Sequence, residues 1–286
     1  MNSPKVSIIV PCYNQAHFLN DSLQSVLNQI FDGWECIIVN DGSPDNTEEV
    51  AQKWSAKDAR FKYVKKPNGG LSSARNAGIA ISRGDFILPL DADDLIHSDY
   101  LQKLLPVIEN NDAIEVVSCY SIFFRNTIDN VVNTRKPTGT TIDALLYENM
   151  IMATSLYRKE SWNRVGGYDE SMKDGFEDWD FWISILKDGA EFKIVPEFLF
   201  YYRKAAASML TNTVANHLES VTKYIYKKHP EVYINKFDTT MDYVFYLIKK
   251  HKASEDNLKK SLEYRIGKAV TKPFRFIAKL NKSKNK

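Results

Sequence analysis

Cysteine is scarce in this chain of 286 residues, three in all, and never occurs as a CxxC pair or at a metal-binding spacing. Cys12, Cys36 and Cys119 each lie in or beside an apolar run (SIIVPCY, WECIIV, EVVSCY), which reads as three buried thiols in a reducing compartment and excludes a disulfide scaffold. Glycine and proline, 12 and 10, are too few for a collagen-like or low-complexity segment. No apolar stretch approaches the ~18 residues of a membrane span. The opening MNSPKVSIIV lacks the basic start and apolar core of a signal peptide, so the expected setting is the cytoplasm or the cytoplasmic face of a membrane. There is no GxGxxG, no GxxxxGK[ST], no HExxH and no GxSxG. Dinucleotide oxidoreductases, P-loop NTPases, common zinc proteases and α/β-hydrolases therefore lose their main support.

What is present is a chain 44% apolar and 26% charged, long enough to bury a full core. Its net charge of +2 conceals an asymmetry. Residues 251–286 carry eleven Lys/Arg against three acids, a net +8, which leaves −6 on residues 1–250. Through the first half, short β-branched runs alternate with helical spacings. Strands are expected at 6–10, 35–39, 61–65, 86–90 and 115–124, with helices at 17–30, 46–56, 71–82 and 98–110. This order demands an α/β fold with a mostly parallel, Rossmann-like central sheet flanked by helices.

In such a sheet, ligands bind beyond the carboxyl ends of the strands. Those ends read Pro11-Cys12-Tyr13-Asn14, Asn40-Asp41-Gly42-Ser43, Pro67-Asn68-Gly69-Gly70 and Asp91-Ala92-Asp93-Asp94, all polar and tight. Asp91 and Asp93, two apart in an extended segment, point the same way. Paired carboxylates of this kind suit Mg²⁺ or Mn²⁺ bound together with substrate phosphates, although DADD also reads as a polar loop whose last acids cap a helix. Gly69 and Gly70 before a helix start can offer backbone N–H groups to an anion, with Arg75 one turn in. The plainer alternative is an ordinary loop and a surface ion pair. Asp41 could accept the imide N–H of uracil, or simply make a turn with Gly42.

Taken together, VSIIVPCYNQAHFLNDSLQSVLNQ, IIVNDGSPDNT, NGGLSSARNAG, FILPLDADD and GFEDWDFWISIL resemble the successive signatures of family 2 inverting glycosyltransferases of the GT-A fold, over about residues 5–205. The resemblance implies that Pro11, Tyr13 and Asn14 line the nucleotide edge of a donor site and that Asp41 binds the base. It places Gly69, Gly70 and Arg75 near the diphosphate, Asp91 and Ala92 near the ribose or metal, and Asp93 as the principal metal ligand. In Gly175-Phe176-Glu177-Asp178-Trp179-Asp180 the general base falls on Asp178. A carboxylate suits that task, since an attacking sugar hydroxyl must lose a proton; the alternative is that Glu177 and Asp178 merely complement a helix dipole. Family members often carry Tyr-Arg-x-His after the last strands. Here Arg203 is kept, but Ala205 stands where the His is expected, so either Arg203, Lys204 or Ser208 substitutes for it or the metal relies on Asp93 and the diphosphate alone.

The expected division is a catalytic, nucleotide-sugar-binding domain over 1–210 and a helical extension over 211–286, with helices at 214–228 and 238–250. Residues 264–280 mix Ile266, Val270, Phe274, Ile277 and Leu280 with Lys and Arg, a basic amphipathic pattern that suits an anionic membrane surface and is broken in two by Pro273. An acidic body argues against nucleic acid, and the extension could also mediate oligomer formation. The expected activity is metal-dependent transfer from a nucleotide-sugar donor, a UDP-sugar first, to a hydroxyl of a glycan or lipid-linked acceptor in surface polysaccharide synthesis. The rivals are a polyprenyl-phosphate sugar synthase, whose anionic acceptor needs no strong base, and a non-catalytic nucleotide- or glycan-binding module.

Overall fold

The computed structural model describes residues 3–205 and 209–283, with side-chain surroundings through residue 272. It divides into two compact units, Met1–His229 and Pro230–Lys286. The first unit opens with β1 (Val6–Cys12), α1 (Ala16–Leu27), β2 (Trp34–Asn40), α2 (Thr47–Lys57), β3 (Phe61–Lys65), α3 (Leu71–Ala80) and β4 (Phe86–Pro89). β1 and β2 are buried along their whole length, as continuous apolar runs require of strands covered on both faces. α1 turns Leu19, Leu23 and Val26 inward, and α2 turns Val50, Ala51 and Trp54. Each fully buried side chain of this kind contributes roughly 1.5–3 kcal/mol of transfer free energy.

β5 (Leu95–Ile96), α4 (Tyr100–Glu109), β6 (Ile114–Arg125), β7 (Thr127–Arg135), β8 (Leu156–Arg158), α5 (Lys159–Val165), α6 (Glu177–Leu186), β9 (Glu191–Arg203), α7 (Met209–Asn212) and α8 (Leu218–Lys228) complete the unit. The sheet runs β3-β2-β1-β4-β8-β6-β9-β5, with β7 added on β6. β3, β2, β1 and β4 are parallel, as expected. Beyond them the sheet is mixed: β8 is antiparallel to β4 and β6, β5 is antiparallel to β9, and β6 and β9 are parallel. None of β7, β8 and β9 was expected as a separate strand.

β1 sits between β2 and β4, so the chain switches direction of sheet growth at β1, which is where an open α/β sheet leaves a ligand crevice. The pairing of β1 with β4 ends at Ile9↔Pro89, while that with β2 continues to Cys12↔Asn40. The carbonyl of Ile9 accepts from the Leu90 N–H on the β4 side. By the two-residue alternation Pro11 faces that same side, past the last β4 pair, where its missing N–H leaves no ladder bond unmade. α3 lies close on the sheet because Gly78 has no side chain: a Cβ there would come within 2.6 Å of Ile9 and 2.9 Å of Val39.

The second unit comprises α9 (Pro230–Asn235), α10 (Phe237–Lys260) and α11 (Leu262–Ser283). The first unit thus extends past the expected 210/211 division to include α8, whose Val221 and Ile225 are buried. α11 continues through Pro273 instead of breaking there. Proline removes one i→i−4 bond, a loss that an otherwise regular helix tolerates where the freed carbonyl can reach water. No helix among the described residues is long and apolar enough to cross a membrane.

Candidate active site

Asp41, at the end of β2, is buried. Its carboxylate accepts from Lys66 Nζ at 2.7 Å, from Gly69 N–H at 3.0 Å and from Gly70 N–H at 2.8 Å. The two loop amides expected to face a diphosphate are donated to this protein carboxylate instead. The turn is possible because Gly42 and Gly70 have φ of +70° and +92°, and because a Cβ on Gly42 would lie 2.8 Å from the Asn68 nitrogen. Asp41 N–H in turn donates to the Cys12 carbonyl, tying this corner to the end of β1. Pro11 is buried in β1, whereas Tyr13 is 52% exposed at the rim. Asn14 adopts φ 55°, and its N–H donates to Ser43 Oγ.

The acidic loop follows β4. Ala92 is fully buried, which leaves Asp91 and Asp93 as its two half-buried carboxylates. Burial, and then the neighbouring Asp91 carboxylate, push Asp93 up to about 6, while Arg203 and a hydrogen bond from Gln15 pull the other way. Asp94 is buried and raised well above its ordinary value, by burial first and then by the Asp93 and Asp91 charges. Arg203, from the last strand, underpins the loop. Its N–H donates to Asp94, its Nε–H to the Asp93 carbonyl, and its terminal nitrogens to the Asn126 carbonyl and Asp21. The guanidinium also lies 4.6 Å from the Phe18 ring and 4.8 Å from that of Phe124. It is therefore a clamp on the acidic loop. Ala205 follows it half-buried; Ser208 lies outside the described residues.

Arg75 is the buried centre of the arrangement, 1% exposed. One terminal nitrogen donates to Asp91 at 2.9 Å and the other to Glu177 at 2.5 Å, with the Tyr168 ring 5.4 Å away. Burial alone would lower its pKa, but the Asp91 and Glu177 carboxylates outweigh that and hold it well above its ordinary value. A single guanidinium thus joins the loop after β4 to the first turn of α6.

α6 is anchored by Trp179, Trp182, Ile183 and Leu186, all buried as its helical spacing predicts. It starts from a strained turn, Gly175 at φ 91° and Phe176 at φ 59°. Left-handed backbone at a bulky non-glycine residue costs of order 1–3 kcal/mol and clusters at functional sites. Asp178 follows, half-buried. Asn149 Nδ2 donates to one of its oxygens at 2.8 Å and the Trp179 N–H to the other at 2.9 Å. Burial first, then the Glu177 charge, push Asp178 up to about 7 against the pull of Arg75 and these two bonds. A carboxylate in that range is poised to take a proton near neutrality.

The structure therefore brings Asp91, Arg75, Glu177 and the Asp178 turn into one hydrogen-bonded chain. It joins Asp93 to Gln15, the residue before α1, and Asp41 to the end of β1 through Cys12. Sequence reasoning missed Lys66, Asn149, Glu177 as a partner of Arg75, and the group that ties α6 to the end of α8. There Asp180 meets Lys228 Nζ at 2.8 Å and His229 Nε2 at 2.9 Å, and Lys228 also reaches Asp169 at 2.6 Å. Only the length of the EDWD acidic run hinted at this second set of partners.

Residues 7–166 match the model of glycosyl transferase family 2. Among curated proteins, the uncharacterized glycosyltransferase EpsJ of Bacillus subtilis is 34% identical over 221 residues, covering 72% of this chain and 63% of that protein. The chain thus spans somewhat under two thirds of the length of that relative. Among solved structures, S. aureus TarS 1–349 in complex with UDP-GlcNAc aligns with TM-score 0.61 at 22% identity, covering 72% of this chain and 60% of that one. The mannosyltransferase PcManGT of Pyrobaculum calidifontis, in complex with GDP-Man and Mn²⁺, aligns with TM-score 0.58 at 16% identity over 94% of this chain and 84% of that one. The fold is accordingly GT-A, a mixed central sheet with helices and a helical C-terminal part. The parallel half-sheet, the carboxylates at its edge and the matched residues lead to one assignment: the chain belongs to glycosyl transferase family 2.

Proposed function

We propose that this chain is a metal-dependent inverting glycosyltransferase that moves a sugar from a nucleotide-sugar, a UDP-sugar first, to a hydroxyl of a glycan or lipid-linked acceptor in surface polysaccharide synthesis. The observation that carries the proposal is the Arg75 bridge, which ties Asp91 to the helix turn holding a carboxyl poised near pH 7. Asp178 takes the proton of the attacking hydroxyl, and one displacement with one base inverts the anomeric carbon. Asn149 and the Trp179 N–H fix the orientation of that carboxylate. Pro11, Tyr13 and Asn14 border the base and ribose. Asp41, with three donors on its oxygens, keeps a lone pair for the imide N–H of uracil. Gly69 and Gly70 act by holding Asp41, and Arg75 and Arg203 by holding Asp91 and Asp93.

Among the described residues no three acidic, His or Cys groups gather as a ready metal site. Asp93 and Asp91 offer hard oxygen donors only, which fits Mg²⁺ or Mn²⁺, ions that keep waters and phosphate oxygens as their other ligands. When bound, such an ion would neutralise charge developing on the departing diphosphate. An acceptor already carried as a phosphate would make no use of a raised Asp178, which favours a hydroxyl acceptor. A location on the cytoplasmic face of a membrane, through the basic residues 264–286, belongs to the same proposal and suits a lipid-linked acceptor. The test is Asp93→Ala assayed with UDP-sugars and Mn²⁺. Transfer and donor hydrolysis should fall at least 100-fold; a near-normal rate would refute the role of the acidic pair.

A further inference from the structure

A cavity of about 170 Å³ opens between the 171–175 loop and α8, lined by Ser171, Met172, Lys173, Asp174, Gly175, Ser220, Val221 and Tyr224. Its walls are chemically divided. Val221, Met172 and the Tyr224 ring give apolar surface, whereas Lys173 and Asp174 supply charges and Ser171 and Ser220, whose hydroxyls donate to Asp169 and to the His217 carbonyl, supply oxygen acceptors. Tyr224 is 42% exposed, so its ring is not used up by the core. An aromatic face beside short hydroxyl groups matches a pyranose, which has apolar C–H faces and a rim of hydroxyls.

The cavity is held open by a braced frame. Asp169 accepts from Lys228 Nζ at 2.6 Å, from Tyr224 Oη at 2.8 Å and from Ser171 Oγ at 2.6 Å. These partners hold its carboxyl well below the ordinary range despite burial. Lys228 continues to Asp180 on α6, and Thr213 Oγ1 donates to the Asp174 carbonyl. Loop, α8 and α6 are therefore fixed to one another before any ligand arrives, which reduces the entropy lost on binding. Gly175, which lines the cavity, is three residues from Asp178, so at ~3.3–3.6 Å per residue their Cα atoms lie within about 11 Å of each other. That is the reach of one or two sugar units. The cavity also falls outside residues 7–166, which match the family model.

We propose that this cavity is a subsite for a sugar ring of the acceptor, one or two units from the hydroxyl that reacts, and that it sets which glycan is extended. The proposal rests on the glycosyltransferase reading for its purpose, but binding of a sugar there can be measured without any turnover. Saturation-transfer NMR on the full chain would use p-nitrophenyl β-glucoside, β-galactoside and β-N-acetylglucosaminide as probes. At least one should receive saturation on its ring protons, and Ser220→Trp, which fills the cavity from an exposed helix position, should abolish that signal. Tyr224→Phe, which keeps the ring, should retain it, and Tyr224→Ala should lose at least three quarters of it. No signal from any glycoside, or a signal unchanged in Ser220→Trp, would overturn the subsite. Stabilisation of the wild-type chain by UDP-sugars, read separately, reports on the donor site, so failure of one reading is distinguishable from failure of the other.

Discussion

Replacing Asp178 by Asn should make the protein inactive and, above neutral pH, more stable. The wild-type carboxyl moves from 3.8 to about 7 on folding. At ~1.36 kcal/mol per pH unit, that sets a ceiling of about 4 kcal/mol on the destabilisation from carrying it ionised. Partial exposure and the shared field of Glu177 lower the part recoverable by substitution. Asn can also accept only one of the two bonds from Asn149 and the Trp179 N–H, a loss of about 1 kcal/mol. A net gain of about 1–2 kcal/mol remains at pH 8.5, or roughly 2–8 °C in melting temperature for a chain of this size. Because the folded value is raised, the wild type keeps the full contribution of this group below about pH 4 and loses it as pH rises through 7. The advantage of the variant must therefore vanish or reverse at pH 5. Thermal unfolding of both proteins at pH 5 and pH 8.5, with a transfer assay alongside, checks it. A melting difference that is the same at both pH values would refute the account of Asp178.

Arg75→Met should lose at least 100-fold in transfer and destabilise the fold by about 3–5 kcal/mol, since it strands buried Glu177 beside Asp91; denaturant titration and kinetics read both, and Arg75→Lys should recover part of each. Glu35, buried in β2, accepts from Ser7 Oγ and the Arg83 N–H and pairs with Lys62, partners that hold it down to about 2 against the opposing effect of burial. Its contribution is present above pH 4.5 and lost as pH falls towards 2, so Glu35→Gln should cost about 2–3 kcal/mol at pH 7 and much less at pH 3, as measured by urea unfolding. Deleting residues 264–286 should release the protein from vesicles containing anionic lipid; unchanged cosedimentation would remove the membrane from the proposal.

The parallel half of the fold was legible because each strand ends in a short polar signal that local chemistry explains, from Pro11 to Asp93. The antiparallel half was not: β8 is three residues long, and β7 is exposed on both faces, so neither shows a periodicity to read. The site divides in the same way. Asp41, Asp91, Asp93 and Asp178 are named as candidates from the motifs around them and the family those motifs resemble. The partners that set their behaviour cannot be named in that way, because Arg75 and Glu177 are 102 positions apart, and Asp94 and the Arg203 N–H 109. Both arginines were expected to face phosphate, and both are engaged with carboxylates and carbonyls of the protein itself. A charge pattern gives the sign of a partner but not whether it is a ligand or another part of the chain.

The hydrogen atom that stands for a side chain at Gly78 has a reach well beyond its own contacts. Adding one methyl there would lift α3 away from Ile9 and Val39, and Arg75, a single turn upstream on that helix, would rise with it. A guanidinium displaced by even a fraction of an ångström cannot keep two carboxylates on separate segments in register. Gly78→Ala should thus impair turnover, because the depth of one helix in its groove sets whether Arg75 can hold Asp91 and Glu177 together.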